Sequence, residues 1–212
     1  MHQKNYLDYL NKTFLEELNY KVWSTKGSRF NASTRLIKTA RWSNFSLTML
    51  SVYLAATGLL SVYNINVSDT KLDENLIAYS ITCLSILALV LAQIENGKDY
   101  TMKAKEFHNC GLELSKIYND LRIYKTLTEN QTIEQKEEFA VKISTEYQRI
   151  LEKHDNHQQI DNDKFKTTKA KYHEMNKWDV LQINIRYYFR TIFIYHLLIL
   201  LPPIIIILSL KK

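Results

Sequence analysis

Three stretches of the chain hold apolar residues without a formal charge: "FSLTMLSVYLAATGLLSVY" (Phe45–Tyr63), "LIAYSITCLSILALVLAQI" (Leu76–Ile94) and "TIFIYHLLILLPPIIIILSL" (Thr191–Leu210). Each is close to the roughly 20 residues a helix needs to cross a hydrocarbon core about 30 Å thick. A buried helix of a soluble protein rarely stays uncharged for so long, so three membrane-embedded segments are expected. The first begins more than forty residues into the chain with no short charged leader, which argues against a cleaved signal peptide. The third carries Pro202 and Pro203 in its middle. A proline pair removes backbone donors and clashes with the preceding turn, so a kinked span or a re-entrant hairpin fits. The span is the better fit, because Trp178, Arg186, Tyr187, Tyr188 and Arg190 place an aromatic and basic belt before it.

Beyond the second block the pattern changes without any proline: "ILALVLAQIENGKDYTMKAKEFHNCGLELSKIY" turns from lipid-soluble to charged with helical spacing intact. Tyr100, Phe107, Leu114 and Leu121 recur every seven residues, and Cys110, Ile117 and Tyr124 form a second line three residues on. This is a heptad seam, predicting a helix that continues about 30 residues, or about 45 Å, out of the membrane. After "LTENQT" the pattern resumes with Ile133, Ala140, Tyr147 and His154 on one line and Ile143, Ile150 and His157 on the other. Two seams joined by a short turn predict an antiparallel helical hairpin. Leu7, Leu10, Phe14, Leu18 and Val22 add an amphipathic amino-terminal helix to complete a small bundle. An unbroken helix of this kind, half in lipid and half in a packing unit, would serve as a rigid lever, and the same continuity would also serve a static anchor.

Composition agrees with helices throughout. In 212 residues there are 4 Gly and 2 Pro, too few turn residues for a many-stranded sheet. The expected fold is an all-α membrane protein, a transmembrane helical hairpin continuous with a cytosolic bundle plus a third hydrophobic segment. Its regions are 1–41, amphipathic and basic; 42–94, the hairpin; 95–190, the helical hairpin and interfacial helix; and 191–212. The mean hydropathy of -0.27 averages the apolar blocks away.

Charge sets an orientation. Lys26, Arg29, Arg35, Lys38 and Arg41 precede the first block, and Lys98, Lys103 and Lys105 follow the second. The loop between them has Lys71 against Asp69, Asp73 and Glu74. Positive ends stay inside, which puts the amino terminus and 95–190 in the cytoplasm. The net charge of +6 suits an anionic inner leaflet; nucleic-acid binding is compatible but not required.

Catalytic chemistry finds little support. The glycines (Gly27, Gly58, Gly97, Gly111) are isolated, so no phosphate-cradling loop exists. Cys83 and Cys110 form neither a CxxC pair nor a disulfide framework. His154, Asp155, His157, Asp161 and Asp163 could be a metal set. Both histidines continue the seam, however, and polar packing is the reading adopted, with no metal, cofactor or enzyme activity.

The spans carry stripes of small and polar residues: Asn44, Thr48, Ser51, Ala55, Gly58 and Ser61 in the first, Ala78, Thr82, Ser85, Ala88 and Ala92 in the second. One stripe suffices to pack a hairpin. The other is free either for further packing or, after subunits assemble, for a pore wall, weakly selective or gated by dewetting because it lacks charge.

The ordered combination of "RFNASTRLIKTARWSNFSLTMLSVYLAATGLL", a second span running into "ENGKDYTMKAKEFHNCGLELSKIYNDLR", and "YQRILEKHDNHQQIDNDKFK" resembles the SLATT domain, most closely its fifth subfamily, from about Arg29 to Lys166. The resemblance implies a bacterial inner-membrane effector of anti-phage or conflict systems, forming homo-oligomeric pores that kill or arrest the infected cell. It also implies a functional partner that is a reverse transcriptase or a nucleotide-messenger synthase. The alternative is a non-conducting adaptor that tethers a cytosolic nucleic-acid enzyme or nucleotide synthase to the membrane.

Overall fold

The computed structural model describes residues 12–62, 74–127 and 131–210, with side chains outside 60–62, 74–77 and 206–210. The loop between the first two apolar blocks, Leu7, Leu10, the side chain of Ser61 and residues 128–130 of the expected turn lie outside the described residues. Those described form helices and short connections, with no strand among them: α1 Phe14–Val62, α2 Glu74–Asn96, α3 Tyr100–Leu127, α4 Ile133–Lys153, α5 Gln159–Thr168, α6 Lys177–Thr191 and α7 Phe193–Leu210. By contacts the chain divides into two compact units, Met1–Arg35 with Met102–Tyr187, and Leu36–Thr101 with Tyr188–Lys212.

The first unit is a helical bundle. Its core joins Leu18 and Val22 of α1 to Cys110, Leu114, Ile117 and Leu121 of α3 and Ile143 and Ile150 of α4, with Phe139 and Tyr147 packed against it. Side-chain pairs give the helix directions. Glu113 meets Lys153 and Tyr124 stacks on Phe139, so α3 and α4 run antiparallel. Lys26 lies over Tyr118 and Arg29 over Phe107, so α1 runs antiparallel to α3. Two glycines permit the close approach. A methyl group at Gly27 would sit 2.1 Å from the Phe165 ring, and one at Gly111 would sit 2.8 Å from Phe30. Thr132 and Gln135 start α4 with a reciprocal capping box. Ile133, assigned to the seam by periodicity, is instead 84% exposed, because that first turn projects past the core.

The second unit holds the later part of α1, α2 and α7. It leaves large apolar side chains uncovered: Phe45, Val52, Leu84, Ile86, Leu87, Leu89, Leu197, Leu200 and Ile204 among them. Among the described residues one helical run, Ala78–Leu127, is long and apolar enough to cross a membrane, and none of its apolar window is buried within the chain. Each large apolar side chain left in water forgoes about 1.5–3 kcal/mol, so a surface of this kind belongs in lipid.

Two features of the expected helices are corrected. The helix expected to run unbroken from Ile86 to Tyr118 carries a local break inside the run Ala78–Leu127: α2 ends at Asn96, Gly97 and Lys98 form a turn, and Asp99 takes a left-handed φ of 49° before α3 begins. Asp tolerates that conformation through its short polar side chain. The third block also has a bend that the prolines do not account for, at Ile192, where α6 and the helix from Phe193 diverge by 65°; Pro202 and Pro203 sit inside α7. The belt is also divided, for Trp178, Arg186 and Arg190 are exposed whereas Tyr187 is buried.

Candidate functional site

In the second unit one carboxylate gathers three apolar segments. Glu95, at the end of α2, accepts hydrogen bonds from Ser43 Oγ of α1 (2.8 Å) and Tyr195 Oη of α7 (2.7 Å), and pairs with Lys98. The Tyr100 and Tyr195 hydroxyls are 3.1 Å apart, which extends the cluster to the start of α3. A half-buried carboxylate must have donors, and here each donor comes from a different segment. Beside it the Trp42 and His196 rings meet edge to face, centroids 4.2 Å apart, and Tyr188 Oη lies 2.8 Å from His196 Nδ1. Further along, Tyr53 Oη donates to the Ile199 carbonyl (3.0 Å). In a helix that carbonyl would accept from the N–H at position 203, and Pro203 has none. The α1–α7 contact thus supplies the donor that the proline removes.

This assigns the faces of α1. Ser43 and Ser46 are buried and Tyr53 and Thr57 half-buried, whereas Asn44, Thr48, Ser51 and Ala55 are exposed. Thr48 Oγ1 donates to Asn44 O and Ser51 Oγ to Leu47 O, so both hydroxyls are satisfied within the helix. Gly58 is half-buried, with open space where a side chain would project. In α2, Ala78, Thr82 and Ser85 are exposed and Ala88 and Ala92 half-buried.

In the first unit, Cys110, Leu114, Ile117, Leu121, Ile143 and Ile150 of the seam are buried, and Phe107, Tyr147, His154 and His157 are half-buried. Burial pushes the Cys110 thiol up, away from a reactive thiolate. Tyr147 Oη lies 3.0 Å from Thr25 Oγ1. Glu113 binds Lys153 (2.8 Å) and His154 (3.2 Å), and the lysine hydrogen bond foremost holds its carboxyl below the usual range. Asp161, fully buried, takes Arg35 in a two-pronged pair, Nε to Oδ1 at 2.7 Å and Nη2 to Oδ2 at 3.0 Å. Its Oδ2 also accepts from Gln158 N, capping α5. His154 and Asp161 are thus engaged in ion pairs, and no group of three candidate ligands is poised for a metal among the described residues. The basic run before the first apolar block is revised as well. Arg29 and Arg35 are buried in the bundle, leaving Lys38 and Arg41 exposed.

Glu95, Ser43, Ser46, Tyr53 and Tyr195 are not singled out by sequence pattern. A signal existed for part of the set: Thr39, Ser43 and Ser46 follow the same 4, 3 spacing as the exposed stripe, and Glu95 is the first carboxylate after the second uncharged block.

A family model described as "SMODS and SLOG-associating 2TM effector domain family 5" matches residues 11–209. No curated protein and no solved structure matches the chain.

Proposed function

We infer, from the premise that the chain belongs to the SMODS and SLOG-associating two-transmembrane effector domain family 5, that it is an effector of a bacterial defence system acting on the inner membrane. In this reading the first two apolar blocks form a transmembrane hairpin and the third is a bent span or a re-entrant segment. Copies assemble around the Asn44, Thr48, Ser51, Ala55, Gly58 and Ser61 stripe, and a partner acting on the helical bundle opens a pore that depolarises the cell. The partner class is a reverse transcriptase or nucleotide-messenger synthase.

The observation that carries the reading is the exposure of Asn44, Thr48, Ser51 and Ala55 while α7 is engaged through Ser43, Glu95 and Tyr53 on other faces. The most polar line of the first span is left for a neighbour or for water. With no formal charge in that line, the pore is weakly selective and wets or dewets as a unit. The test is induced expression with a membrane-potential dye. The unmodified chain should depolarise cells when triggered. Thr48→Leu with Ser51→Leu should abolish depolarisation while crosslinked oligomers persist in the membrane. An oligomer that still leaks with both substitutions removes the stripe from the pore wall. Absence of depolarisation by the unmodified chain under every trigger leaves the tether reading in its place.

A further inference from the structure

The interior of the helical bundle contains an unbalanced charge. Among the described residues three ionisable groups of fixed sign are buried there: Arg29, Arg35 and Asp161. Asp161 is committed to Arg35 through both carboxylate oxygens, one of which also takes the Gln158 N–H. Arg29 is fully buried, and its one hydrogen bond among the described residues is a long one, Nη2 to Asn156 Oδ1 at 3.4 Å. Its Nε and Nη1 have no partner. The Phe107 ring, 5.5 Å from the guanidinium carbon, offers only a weak quadrupole attraction. A second buried nitrogen without a partner, His157 Nδ1, belongs to the residue next to Asn156. Arg29 and Cys110 also sense one another electrostatically. The guanidinium thus stands where α1, α3 and the α4–α5 connection meet, with two of its donors unused.

Guanidinium does not escape such a site by losing its proton. A buried cation without a counter-charge costs several kcal/mol, so the arrangement calls for something that answers both the charge and the donors. Water would serve the donors and leave the charge. We propose that Arg29, Asn156 and His157 form a binding site for a small inorganic anion of the halide class, held at one unpartnered edge of the Arg29 guanidinium, with water left to the other edge and with His157 Nδ1–H as a further donor in the neutral tautomer that carries its proton there. Full burial of Arg29 sets the size, since a monatomic anion suits the space beside that side chain better than a phosphate ester, and the exposed Asn156 gives the ion its way in from solvent. Because its ligands come from three elements, the anion fastens α1 to α3 and to the connection before α5. The site concerns the resting bundle and stands whether or not the chain conducts.

The test uses the full chain in detergent micelles, unfolded thermally and followed by helical circular dichroism. Sodium gluconate is replaced stepwise by sodium chloride at constant ionic strength. A ligand bound only by the folded state raises Tm with its concentration, so a saturable rise with chloride is expected, shared by bromide. Arg29→Met should lose that dependence, while the outward-facing Lys116→Ala should retain it. If Arg29→Met does not fold, Asn156→Ala and His157→Leu carry the same test and should respond more weakly to chloride than the unmodified chain. A Tm indifferent to chloride in the unmodified chain would mean water alone fills the site and would overturn the proposal. An undiminished chloride response in Arg29→Met, or in both substitutes where it fails to fold, would overturn it too.

Discussion

The residues of the membrane unit show how a backbone defect becomes a contact. Pro203 deprives Ile199 of its helical donor, and in lipid no water replaces it. The Tyr53 hydroxyl does so from α1, at 3.0 Å. Tyr53→Phe should therefore lower stability in micelles by about 1–3 kcal/mol, the cost of leaving a buried acceptor unsatisfied. Tyr79→Phe, at an exposed position of α2, should cost little. A double-mutant cycle isolates the cause: with Pro203→Ala restoring an N–H at 203, the penalty of Tyr53→Phe should largely vanish. An equal penalty in both backgrounds would assign the role of Tyr53 to packing. Nothing in the sequence could have paired these residues, since 146 positions separate Tyr53 from Ile199.

At the scale of elements, periodicity located helices well and their ends less well. The heptad lines through Leu114 and Ile117 fall on the face of α3 that packs against α1 and α4, because a repeated apolar stripe has no low-energy alternative to burial. Charging that face should be severe: Leu114→Lys or Ile117→Lys should destabilise the bundle by about 3 kcal/mol or more, as an unpaired charge enters a dry core, whereas Lys116→Ala should stay within about 0.5 kcal/mol. Chemical denaturation followed by circular dichroism measures both, and similar losses from the two kinds of change would require another register. Breaks were less legible. Spacing alone carried the helix through Gly97 to Asp99, where a single glycine and a left-handed aspartate break it locally. It also drew attention to Pro202 and Pro203, which α7 accommodates, and away from Ile192, which has no turn-forming chemistry of its own. Helix ends are decided by tertiary partners as well as by local residues, and the Ser43–Glu95–Tyr195 cluster is such a partner set.

For the whole molecule, charge counting gave an orientation from five basic residues before the first apolar block, and two of those, Arg29 and Arg35, are interior. The remaining asymmetry is smaller but of the same sign. Lys38 and Arg41 are exposed before the first block and Lys103 and Lys105 after the second, while Lys71 is outnumbered by Asp69, Asp73 and Glu74 in the loop between. Buried pairs were invisible to such counting, because composition does not reveal that Asp161 lies 2.7 Å from Arg35. Orientation follows the basic residues close to the membrane ends, and the four that stay exposed predict that both flanks lie in the cytoplasm. A reporter fused within Asn64–Asn75 should then read periplasmic and one fused beside Asn130 cytoplasmic. Reversing the bias should be informative: Lys38→Glu with Arg41→Glu weakens the inner anchor of the first block and should give mixed orientation, whereas Arg29→Gln, buried in the bundle, should leave orientation intact. If Arg29→Gln disturbs topology as much as the exposed pair does, Arg29 acts on the chain during insertion before the bundle has formed. A tag after Lys212 completes the map. It reads periplasmic if the segment bent at Ile192 crosses the bilayer and cytoplasmic if it re-enters, and in either case Tyr195 of that segment must reach Glu95 at the end of the second apolar block, as the 2.7 Å hydrogen bond requires.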